Sequence, residues 1–155
     1  MSFRRVFIIR KDLNLSAGKL AAMVAHCAEG YWTRMIQRTA IGFVNDFTTA
    51  MLPVDANYYK AFLKLDKEEF EQYLQGSFVK TICEAKNKTH LLKAKTIAES
   101  LGLTENIDFG IINDNCLTEL IPENEDGTTT VGIWFKPLPD EIAHQISKKY
   151  QLYKR

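Results

Sequence analysis

Val6-Phe7-Ile8-Ile9 is a short unbroken apolar run, the pattern of a strand buried on both faces of a sheet. Arg10 to Ala17 is polar and turn-like, and Ser16 is placed as a helix N-cap. Leu20, Met23, Val24, Cys27, Ala28, Tyr31, Trp32, Met35 and Ile36 then recur at three- and four-residue spacing. That periodicity predicts a long amphipathic helix from about Ala17 to Gln37. Strand, short loop and helix open a βαβ unit, whose expected continuation is a crossover to a parallel strand.

Beyond that unit, Thr39 to Asn57 carries Gly42 and Pro53 and reads as a long connection. Tyr58 to Leu65 alternates in part (Tyr59, Ala61, Leu63, Leu65) and is the expected second strand. Asp66 with Glu69 fits a capping box ahead of Phe70, Tyr73 and Leu74, with Gly76 ending that helix. Ser77 to Lys88 is basic and irregular, a loop or a short extra helix. Thr89 to Ser100 reads as a helix closed by Gly102, Ile107 to Asn113 as a third strand and Thr128 to Phe135 as a fourth. Pro139 to Tyr150 is a closing helix, with Asp140 and Glu141 in its first turn and Lys148 and Lys149 in its last. The expectation is a small α/β domain of three layers, its mixed four-stranded sheet built in the order βαβ-α(α)-ββα.

The chain's 155 residues suit one domain, 1–155, and 46% apolar with 25% charged residues excludes collagen, a coiled-coil rod and a disordered tail. Cys27, Cys83 and Cys116 are odd in number and lack CxxC spacing, and no signal-peptide pattern precedes the first strand. Reduced thiols in a cytoplasmic protein, and no zinc site, are expected. Apolar runs are shorter than a membrane span, and Arg34 and Arg38 interrupt the longest candidate.

Net charge is only +1, yet its distribution is uneven. Arg4, Arg5, Arg10, Lys11, Lys19, Arg34 and Arg38 face only Asp12 and Glu29 before residue 40. Lys80, Lys86, Lys88, Lys93 and Lys95 surround a lone Glu84, while Thr96 to Phe135 holds no Lys or Arg at all. Such polarity steers an anionic partner to one side, although chance clustering on a solvated surface accounts for it equally well.

In open α/β sheets the site lies beyond the carboxyl ends of the strands, which directs attention to the loop after the first strand. Gly18-Lys19 sits there and is no phosphate-binding P-loop, since Leu13 stands where that motif needs its first glycine. Lys19 is a cation at a helix N-terminus, a position the helix dipole disfavours; on local grounds alone a freely solvated lysine is the simpler reading. His26 shares a helix face with Lys19 and is as readily a packed histidine as a catalyst. Asp114 ends the third strand, where a carboxylate can orient water or hold a lysine, or simply make an Asx-turn. Thr118 and Thr129 supply hydroxyls and are equally good strand formers.

As an ensemble these residues resemble the type 2 peptidyl-tRNA hydrolases. The family's R-x-D-L, short loop and G-K-x-A-A-x-x-x-H are similar to Arg10-Lys11-Asp12-Leu13, Gly18-Lys19-Leu20-Ala21-Ala22 and His26. Its D-x-G-x-T-x-I-x-P and T-x-x-G-I resemble Asp114 to Pro122 and Thr129-Thr130-Val131-Gly132-Ile133. The resemblance implies cleavage of the ester between a peptide and the 3′ end of tRNA, without metal or cofactor. It implies catalytic roles for Lys19, Asp114, Thr118 and Thr129, with His26 at the family's histidine. Basic Arg34, Arg38, Lys86 and Lys88 would meet the tRNA phosphates. Met23, Cys116, Leu117 and Glu119 stand where the family carries Gln, Gly, Arg and Gln, and segments of about 33–57 and 77–88 read as insertions. A non-catalytic tRNA-binding relative, and a hydrolase of another ester or amide, are the alternatives; a homodimer is left open.

Overall fold

A computed structural model describes residues 2–41 and 57–154. Its centre is β1 (Phe3–Arg10), seven of whose eight residues are buried. Around it the sheet runs β3 (Phe109–Asp114), β4 (Thr129–Phe135), β1, β2 (Val79–Ala85) and β6 (Gln151–Leu152), while the two-residue β5 (Leu138–Pro139) pairs with the start of β1. β2 lies parallel to β1, and β4 is antiparallel to both β1 and β3. The carboxyl ends of β1, β2 and β3 therefore share one edge with the start of β4.

Alternation along β1 divides the core in two. Phe7 and Ile9 join Val131 and Trp134 under Met23, Cys27, Tyr31 and Met35 of α1 (Ala17–Thr39). Val6 and Ile8 join Ile133 and Phe135 under Leu91, Ala94 and Ala98 of α2 (Lys88–Ser100) and Ala143 and Ile146 of α3 (Asp140–Ser147). Helices thus cover both faces. The indole of Trp134 is seated between Gly30 and Gly110, where an added Cβ would come within 2.4 and 2.5 Å of it. Arg5 is only 1% exposed: its guanidinium donates to the carbonyls of Cys27, Ala28 and Phe135, and burial pulls it down to about 10.

The first, third and fourth expected strands and the long first helix are present, but the sheet has six strands rather than four. Tyr58 to Leu65 is not its second strand. That segment is exposed up to Lys64, with Leu65 packed against the core beneath α1, and it is tied to the end of α1 by Ile41–Lys60 and Thr39–Phe62 hydrogen bonds. The strand parallel to β1 is β2, inside the stretch read as a loop or short helix. Its most buried positions, Cys83 and Ala85, are small, and Lys80 and Lys86 flank them, so its hydropathy signal is faint. Within 77–88, residues 79–85 are accordingly a strand of the sheet, whereas 42–56, most of the other expected insertion, lies outside the described residues. Asp66 does cap the following helix, accepting from the Glu68 and Glu69 N–H groups. That helix (Glu69–Ser77) is π-helical, and Glu69 turns inward to accept from Tyr31 and pair with Lys136 instead of closing a capping box. The closing helix stops at Ser147, ahead of the two-residue β6.

Candidate active site

Ser16 caps α1 by accepting from the Lys19 N–H, which fixes the first turn at the carboxyl edge of the sheet. From there the Lys19 ammonium reaches Asp114 at the end of β3: Nζ lies 2.6 Å from Oδ1, and both side chains are largely buried. Nζ also donates to Thr118 Oγ1 at 3.1 Å. Three residues from three separate segments, 95 and 99 positions from Lys19 in the chain, therefore meet at one ammonium group.

The strand ends are shaped for this. Between Ile112 and Asn113 the β3–β4 register slips by one residue, a bulge of the kind that re-aims side chains near a site. Past it, Asp114 pairs with Thr129. The second oxygen of Asp114 accepts the Cys116 N–H at 2.9 Å, and Cys116 adopts the left-handed conformation (φ +59°). Asp114 is thus an Asx-turn residue and a lysine anchor at once. Burial alone would push its carboxyl up, but the bonds from Lys19 and Cys116 and the charges of Lys19 and His26 outweigh that and hold it below the usual carboxylate value.

Thr129 stands behind this centre. Its hydroxyl donates to the Ile121 carbonyl at 2.6 Å and accepts from the Cys116 thiol, so it ties both ends of the 115–122 loop to β4. His26 is exposed two turns along α1 and reaches Asp114 through its charge. It opens a groove of about 450 Å³ between α1 and β3, lined also by Gly30, Arg34, Asn113 and Trp134.

The four basic residues expected on tRNA do not form one surface. Arg34 lines the groove, but Arg38 donates to the Asn106 carbonyl, about 28 Å along the helix from Lys19 at 1.5 Å per residue. Lys86 and Lys88 follow β2 on the far side of β1, and Lys88 is engaged by Asn124 and Glu123.

Two groups of contacts escaped the sequence reading. Arg10 clamps Asp12 with both arms and reaches Glu123 and the Thr130 carbonyl, locking the loop before α1 to the loop before β4. Glu119 accepts from both the N–H and the hydroxyl of Ser16, which hold its carboxyl below the usual value. Ser16 as an N-cap was the only available signal for that clasp. Met23, at a family glutamine position, is 1% exposed in the core beneath α1, so its apolar side chain serves packing. Cys27 is equally buried, its thiol pushed up to about 12 by burial. Among the described residues no group of three or more His, Cys, Asp and Glu is placed to hold a metal ion, and no helix is long and apolar enough to cross a membrane.

Comparison with known proteins shows the family of the chain. Peptidyl-tRNA hydrolases of Thermococcus onnurineus and Pyrobaculum aerophilum are each 30% identical to the chain, over 97% and 99% of it and 97% and 100% of their own lengths. That of Methanopyrus kandleri is 30% identical over 83% of the chain and 79% of its own. A solved protein of unknown function from Agrobacterium tumefaciens superposes with a TM-score of 0.52 at 11% identity, covering 99% of both chains, and so shares the fold. Residues 3–153 match the family described as peptidyl-tRNA hydrolase PTH2, a span that takes in Lys19, Asp114, Thr118 and every strand of the sheet; the chain belongs to that family.

Proposed function

We propose that this single domain hydrolyses the ester joining a peptide, or an N-blocked amino acid, to the 3′ ribose of tRNA. The observation that carries the reading is the Lys19 ammonium held by Asp114 and Thr118 at the carboxyl edge of the sheet.

Ester hydrolysis needs an oriented water and compensation of the negative charge that develops on the carbonyl oxygen. Lys19 supplies that charge from a fixed position, so little reorganisation is needed as the oxyanion forms. Asp114 remains ionised at neutral pH and aims the Lys19 ammonium; with its carboxyl held low it is a weak base and a good positioner. Thr118 accepts from Lys19, which leaves its own O–H free to donate to the ester or to the attacking water. Thr129 and Cys116 keep the loop that carries Thr118 in register with Asp114. His26 and Arg34 line the groove that leads away from this centre and suit the acceptor end of the RNA.

The reaction in this reading draws its positive charge from Lys19 and runs without a metal, so EDTA leaves turnover unchanged. The protein works in the cytoplasm, where charged tRNA is found. The edge of β2 beyond β6, with Phe78 and Val79 about half exposed, supports pairing with a second copy, which sedimentation would detect. The deciding experiment is release of N-acetyl amino acid from charged tRNA by the purified protein. Binding of the same tRNA without release would make the chain a tRNA-binding relative instead.

A further inference from the structure

Leu117 and Ile121 are 87% and 83% exposed, more than any other large apolar side chains among the described residues. They are not carried on a loose tip. Thr118, between them, accepts from Lys19; Glu119 is clasped by Ser16; Leu120 packs inward against the core beneath α1; and the Ile121 carbonyl is held by Thr129. The loop is tied down at four consecutive residues, yet two apolar side chains are left facing water beside the reacting centre.

Charge decides which part of the substrate meets them. Glu119, Glu123, Glu125 and Asp126 belong to the same connection; Arg10 and Lys88 reach it only at Glu123 and Asn124, and among the described residues no salt bridge meets Glu119, Glu125 or Asp126. Those uncovered carboxylates disfavour phosphate, so the RNA body is directed to the groove side, where His26 and Arg34 stand with a single carboxylate, Glu29. What remains on the loop side is the acyl half of the ester. The side chain of the esterified residue branches from the carbon next to the carbonyl, so it must lie beside the oxyanion position. Leu117 directly precedes Thr118, whose hydroxyl is 3.1 Å from the Lys19 ammonium, and neighbouring Cα atoms are about 3.8 Å apart.

We infer that Leu117 and Ile121 form a docking surface for the apolar side chain of the amino acid esterified to tRNA, and that they give the hydrolase a preference for apolar over small residues at that position. This rests on the ester-hydrolysis reading above and adds to it a substrate class.

The test uses the full chain and two non-hydrolysable probes, N-acetyl-phenylalanyl and N-acetyl-glycyl groups joined by an amide to the 3′ end of one tRNA. Wild type should bind the phenylalanyl probe about tenfold more tightly. Leu117→Ser with Ile121→Ser should bring the ratio close to one, and Leu117→Met with Ile121→Val should restore most of it. A wild-type ratio near one overturns the inference, and so does a ratio that survives the double serine variant. Parallel loss of both probes with the ratio kept overturns it too, because the loop would then touch something common to both. Selective binding of the phenylalanyl probe by a wild type that releases nothing from the corresponding ester would remove hydrolysis and keep the docking surface. Binding of neither probe would overturn both.

Discussion

Two cations of the helix–strand pair, Arg5 near the start of β1 and Lys19 in the first turn of α1, are held in different ways. Arg5 is 1% exposed, donates to the carbonyls of Cys27, Ala28 and Phe135, and lays its guanidinium against the rings of Phe7 and Trp32. Nothing of it is left to meet a ligand. Lys19 is held by a carboxylate and a hydroxyl at the carboxyl edge of the sheet, with a remnant of its side chain still exposed. A structural cation is one sealed from solvent by its partners; a working cation is fixed in place with a donor or a face left over.

If that distinction is right, removing each cation should fail in a different way. The largest effect should be on turnover: Lys19→Ala should lower kcat by about two to three orders of magnitude, the usual cost of losing one group aimed at a developing oxyanion. Its folding stability should fall by only about 1 kcal/mol, because Asp114 keeps the Cys116 N–H and is partly exposed to water. Lys19→Arg should recover only part of the rate, since a planar fork does not reproduce a compact ammonium. Single-turnover release from N-acetyl-aminoacyl-tRNA checks all of these, and a Lys19→Ala protein as fast as wild type would move the chemistry elsewhere.

Arg5→Met should show the reverse. Losing the donors to three largely buried carbonyls should lower stability by about 2 kcal/mol, read as a drop in the urea midpoint at unchanged slope. The folded fraction should turn over within a few-fold of wild type. A selective loss of turnover in Arg5→Met would break the comparison.

The same contrast marks how far the sequence could be read. β1 and β4 were legible because they are apolar runs buried almost throughout, and α1 and β3 because their apolar patterns are strong. β2 was not, because its core positions are Cys83 and Ala85 and its neighbours are lysines, while the aromatic alternation of Tyr58 to Leu65 was more conspicuous and belongs to an exposed segment. Lys19, Asp114 and Thr118 were placed by motif and do converge. Arg34, Arg38, Lys86 and Lys88 were grouped by charge count, but charge counted along the chain carries no direction in space, and they are spread along α1 and past β2. Arg5 was counted as one more basic residue. Its partners are backbone carbonyls, which any sequence supplies, so no pattern of side chains could have announced its burial.

A smaller effect is expected at Asp114, and it sharpens the account of Lys19. Asp114→Asn keeps an acceptor for Lys19 but removes the charge that holds the ammonium in place, so kcat should fall by about tenfold or more while tRNA affinity stays close to wild type. In the native state the Asp114 carboxyl is below its ordinary value of 3.8, first despite burial and then because of Lys19 and Cys116. For a carboxylate lowered in this way the stabilisation is complete above the unfolded-state value and is lost as pH falls through the folded one. Wild type should therefore be more stable than Asp114→Asn at neutral pH, and the gap should close in acid, below 3.8. Between about pH 5 and 8 neither form titrates at this position, so their pH–rate profiles should have the same shape and differ only in height. Urea unfolding at neutral and acid pH, paired with turnover across that range, measures both. A gap that widened in acid, or a limb of the wild-type profile near neutrality that vanished in Asp114→Asn, would mean that Asp114 carries a proton during the reaction and acts as a base rather than as the anchor of Lys19.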